Sequence, residues 1–174
     1  MGFFSNKITT DKITETLIKF FETSYGSLVV GLKESFENEA ESSVNEEQDK
    51  ELMVVAMFAV TKAVLVAFGD TQKTKDILGK LQHDAFKTYF KEDEERKQFG
   101  ELLWKRAGEY SQVLTADNKD LDIQFGQIFC THYFGKDEDE SHLAMMTFVG
   151  QSFLNTMVET KKFLDEVSSK YDIV

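Results

Sequence analysis

Three histidines, one cysteine and 31 acidic side chains are what this 174-residue chain offers for chemistry. His132, Asp139 and His142 are the set whose types suit a divalent metal. Residues three apart on a helix share a face, so Asp139 and His142 can hold one ion if a helix already includes Asp139. His132 reaches the same connection from the preceding helix. Two histidines and a carboxylate would resemble the three-ligand pattern of a catalytic zinc centre, which keeps its fourth position open. The structural reading of the same residues is that His132 sits at the core boundary on a backbone partner and His142 is exposed near a helix start. Cys130 cannot join His132, because two residues on a helix lie about 200° apart.

Other catalytic arrangements are missing from the sequence. Cys130 follows Phe129 in an apolar stretch without neighbouring basic residues, the setting of an inert buried thiol. There is no Gly-x-Ser-x-Gly elbow, phosphate loop or dinucleotide fingerprint. His83-Asp84 matches a dipeptide of metal-dependent helical phosphohydrolases, but no histidine precedes position 83 to supply that family's upstream ligand. Paired Glu-x-x-His motifs of di-iron bundles are absent, Asp139-x-x-His142 being one altered copy. Three acidic runs, 46–49, 92–95 and 137–140, lack the glycine and spacing of a calcium loop. Each falls where a helix should begin, and carboxylates there meet the positive end of the helix dipole.

A second candidate site is aromatic. Phe125, Phe129 and His132, with Phe153 across a turn, could line a pocket for an apolar ligand, or for haem with His132 as axial ligand. Ordinary core packing of a phenylalanine stripe accounts for the same residues.

The elements that must position these residues are helices. Proline is absent from all 174 positions, where average usage of about 5% would place roughly nine, and apolar residues recur at helical spacing almost throughout. Ile13, Leu17, Phe20 and Phe21 form the first stripe, continued by a short piece, Leu28 to Leu32, with a bend expected at Gly26. An acidic linker over 38–48 would separate this N-terminal piece from the main bundle, ending in a Ser43/Glu46 capping box. Leu52 to Phe68 carries only Lys62 as a charge. It is slightly short for a membrane span, and its lysine is near the middle, so it reads as a central core helix. Gly69 should cap it, with Asp70 and Thr71 starting the next helix. Two further helices carry Ile77 to Tyr89 and Phe99 to Leu114, the second with Arg106 as a polar exception in its apolar face. Asp117 would cap a fifth helix closed by Gly135, and a long last one carries a heptad-like seam from Leu143 to Tyr171. The expectation is an all-α, single-domain bundle of about six helices spanning 1–174.

The net charge is −11 and only two residues are arginine, which argues against a nucleic-acid ligand. One cysteine and no apolar signal segment point to the cytoplasm. Enzymatic activity stays undecided, with the weight on a non-enzymatic protein that needs no cofactor. Its partners would be protein surfaces, either a second copy through the last helix or a basic protein, and no membrane span is expected. The alternative is a ligand-binding or sensor domain around His132.

Overall fold

The helix from Glu46 to Phe68 has no polar face, so it can satisfy its side chains only by being surrounded. A computed structural model describes residues 6–36, 45–114, 119–135 and 142–174. Among them are six helices: α1 (Thr10–Phe36), α2 (Glu46–Phe68), α3 (Gln72–Tyr89), α4 (Asp93–Leu114), α5 (Leu121–Phe134) and α6 (Leu143–Lys170). α2 touches all five others. Its residues 51–61 are buried without a break. It is the one helix among the described residues long and apolar enough to cross a membrane, and it is mostly buried inside the bundle. The all-α expectation is met.

α1 runs through Gly26 as one helix, and Leu28 and Leu32 continue the buried face of Ile13, Leu17 and Phe21. Other local readings need correction. The capping box at the start of α2 is formed two residues later than expected, by Asn45 and Gln48. Asn45 Oδ1 accepts the Gln48 N–H at 2.9 Å, and Gln48 Oε1 accepts the Asn45 N–H at 3.1 Å. Gln48 also donates to the Tyr133 carbonyl at 3.3 Å, a tertiary bond that favours this register. Residues 38–44 of the expected linker, Asp117 and the 137–140 run lie outside the described residues. Tyr171 leaves the α6 seam for a short strand: β2 (Tyr171–Ile173) pairs in parallel with β1 (Asn6–Ile8), which no sequence pattern announced. Parallel neighbours need a long crossover, and here the whole bundle serves as one.

Positive φ appears at Gly69 (66°) and Gly135 (63°), both closing helices where a Cβ would be strained. The heptad-like seam of α6 is spent inside the molecule. Met146, Gly150, Phe153, Thr160, Leu164 and Val167 are all buried. Its exposed large apolar residues are Leu143 and Val158, a long way apart. No continuous stripe of large exposed apolar residues runs along α6.

α5 and α6 pack most closely. Gly126 lies against the Met146 backbone and Gly150 against the Asp122 backbone, so the helices cross antiparallel with carbonyl groups where any Cβ would sit. Next to this crossing Phe58, Tyr110, Phe125 and Phe153, one ring from each of α2, α4, α5 and α6, form a stack. The Tyr110–Phe125 and Phe125–Phe153 centroids are 4.3 and 4.0 Å apart. Gly150→Ala should cost at least about 3 kcal/mol, the upper end for overpacking, in urea unfolding. Gly79→Ala on α3, where a Cβ meets open space, should instead gain up to about 1 kcal/mol.

Candidate functional site

The N-terminal half of α2 buries a carboxylate: Glu51 is only 5% exposed. An isolated buried charge is expensive, and the fold answers with Arg106 from α4, 9% exposed. The guanidinium donates from Nε to both carboxylate oxygens, at 3.0 and 3.1 Å, and from Nη2 to Oε1 at 2.6 Å. The planar fork of arginine suits this geometry and an ammonium would not. Burial by itself would lower the Arg106 pKa, but Glu51 outweighs it, with Glu109 adding to the effect, and the guanidinium is held above its usual value.

The chain of charges continues. Arg106 Nη1 lies 3.5 Å from Glu109 Oε1, and Glu109 Oε2 meets His132 Nε2 on α5 in a short contact. Glu51, Arg106, Glu109 and His132 therefore join α2, α4 and α5 through one polar line. Tyr110, wholly buried beside it, makes no hydrogen bond through its hydroxyl to a described residue. Burial pushes its phenol well above the ordinary value, reinforced by the Glu51 carboxylate and opposed by Arg106.

Outside the Glu51–Arg106 pair a groove of about 380 Å3 opens between the start of α2 and the side of α4. Phe90, Phe99 and Leu102 form its apolar floor. Glu46, Glu47 and Glu95 stand along it with Lys50, which pairs with Glu46. The sequence supplies these carboxylates for local reasons, since Glu46 and Glu47 occupy the first turn of α2 and Glu95 that of α4. The fold brings both first turns to one groove.

Phe125, Phe129 and Phe153 are fully buried. Phe125 is stacked between Tyr110 and Phe153, and Phe129 packs on Tyr133, so these rings fill the space beside each other. His132 is half-buried on Glu109, and a metal or haem iron at its Nε2 would have to displace that carboxylate. His142 stacks on Phe134 at 4.1 Å. Asp139 lies outside the described residues. Among the described residues no three His, Cys, Asp or Glu side chains gather to hold a metal ion. Arg106 had one signal in sequence, its place in an apolar stripe; its partner Glu51, at the edge of the apolar segment, had none.

Compared with family models, curated proteins and solved structures, the chain matches nothing.

Arg106→Met should destabilise by about 3–5 kcal/mol, because it strands the Glu51 carboxylate. Adding Glu51→Leu should recover much of that loss, which a double-mutant cycle in urea would measure. Four tyrosines, Tyr25, Tyr89, Tyr110 and Tyr133, have raised pKa values, burial being the first cause in each. Each holds its proton more tightly folded than unfolded. Their contribution is fully present below about pH 10, the unfolded value, and is lost as pH rises beyond it. Absorbance of tyrosinate should therefore lag behind five free phenols above pH 10, and urea stability should fall over the same range.

Proposed function

We propose that this protein is a non-enzymatic binding protein that receives a basic segment of a partner protein in the groove between α2 and α4. One observation carries the reading: carboxylates from two helix starts flank an apolar floor, above a buried Glu51 whose charge is already matched by Arg106. Lysine or arginine stems can lie on the part-exposed Leu102 while their charged ends reach Glu47 and Glu95. The net charge of −11 favours approach of such a partner over long range. Burial of the α6 seam supports a different protein over a second copy as partner. The stacking of Phe125 on Tyr110 and Phe153 weighs against a ligand pocket at those rings.

An amphipathic Lys/Leu helical peptide of about 14 residues, followed by fluorescence anisotropy, tests this. Binding should weaken at least about tenfold in Glu47→Lys/Glu95→Lys and decline with salt. Glu159→Lys/Asp165→Lys, which changes net charge equally on α6, should bind nearly as the parent does. Equal losses in both variants would reduce the effect to net charge and sink the groove.

A further inference from the structure

A second groove, of about 420 Å3, opens where the β1–β2 pair meets the start of α1 and the end of α6. That volume is within the range of small-molecule pockets. Ile8, Phe163 and Val167 give it an apolar wall, while Lys7, Lys12 and Lys170 stand at its edge. Three lysines against Glu166, the one acid in its lining, leave a net +2, the reverse of a chain whose overall charge is −11. Lys170 is the lysine that Glu166 neutralises. Lys7 and Lys12 make no ion pair with any described residue, although Asp172 is the register neighbour of Lys7 across the strand pair.

The groove is held open by bonds that do not depend on a ligand. Val174 N–H donates to the Ile8 carbonyl at 2.9 Å and Thr10 N–H to the Val174 carbonyl at 3.0 Å, fixing the strands against α1. Thr9 Oγ1 caps the Lys12 N–H at 3.3 Å, and the Thr16 hydroxyl donates to the Lys12 carbonyl at 3.2 Å. The backbone that carries Lys12 is thus set, and its ammonium is left for another anion.

We propose that this groove binds a single-chain amphiphile with a carboxylate head, the chemistry of a medium-chain fatty acid. The carboxylate takes the two unpaired ammonium groups of Lys7 and Lys12, and the hydrocarbon chain lies along the part-exposed Phe163 and Ile8. A small inorganic anion would leave the apolar wall unused. A neutral lipid would leave both lysines without a counter-charge, and a nucleic-acid backbone needs a longer basic track than three lysines supply.

Decanoate below its micelle concentration is the probe, titrated by calorimetry into the intact protein. One equivalent should bind, and acetate and decanol, carrying head or chain alone, should bind at least about tenfold more weakly, since each forfeits one class of contact. Lys7→Gln/Lys12→Gln should weaken decanoate at least about tenfold by removing the ion pairs. Thr16→Trp, which fills the groove and leaves every charge in place, should abolish binding; thermal melts of both variants report that they fold. No decanoate binding to the parent would overturn the proposal, as would binding unaffected by either variant. Acetate binding as tightly as decanoate would reduce the groove to a simple anion site. Because none of these changes touches Glu47 or Glu95, the outcome is independent of the α2–α4 groove.

Discussion

The burial of α2 from every side is the constraint on which the other arrangements depend. A helix with thirteen consecutive or near-consecutive buried positions offers no face to water, so five helices are needed to cover it, and the chain supplies five. Small residues let them come close. Ala56, Ala59 and Ala63 are completely buried, and glycines do the same work at the α5–α6 crossing. The cost of this design appears at Glu51, a carboxylate at the buried end of the helix. Its desolvation has to be offset by a charge of opposite sign, which places Arg106, and with it the rotation of α4 about its own axis.

From that pair the polar line runs outward through Glu109 to His132 near the surface. Such a line favours one docking of α4 against α2 and α5, because any slip would leave a buried charge without its partner. The same docking aligns the first turns of α2 and α4, whose carboxylates then face each other over Phe90 and Phe99. The acidic groove is a by-product of two helix starts being brought together by a buried ion pair. At the β1–β2 pair the sign reverses. There Lys7 of β1 and Lys12 of α1 meet Lys170, the one that lies in the last turn of a helix, where a cation suits the dipole.

Much of the fold was legible because it depends on local periodicity. The stripes of α1, α3 and α4, the continuous apolar run of α2 and the closing glycines 69 and 135 can all be read within one or two turns of chain. The capping box was harder, since Ser43/Glu46 and Asn45/Gln48 both satisfy the local pattern and the bond from Gln48 to the Tyr133 carbonyl joins segments 85 residues apart. The continuation of α1 past Gly26 was legible from the apolar residues on either side of it. An isolated glycine weakens a helix locally, yet α1 continues through it, and Leu28 and Leu32 extend the buried face of Ile13, Leu17 and Phe21 beyond it. The candidate site was the least legible part, for His132 and Arg106 were visible as anomalies but their partners Glu109 and Glu51 were not.

Sequence alone determined that the chain is helical, where most of its helices lie, and that α2 must be central, because these follow from the absence of proline and from spacings shorter than a helical turn or two. Only the tertiary structure decided which charges are buried together, that the seam of α6 faces inward, that the two short strands meet, and that two grooves of opposite charge result. Those features depend on contacts such as Glu51 with Arg106, 55 positions apart, and Asn6 with Tyr171, 165 apart, and a linear pattern carries no record of which distant side chains a closed bundle will bring within reach.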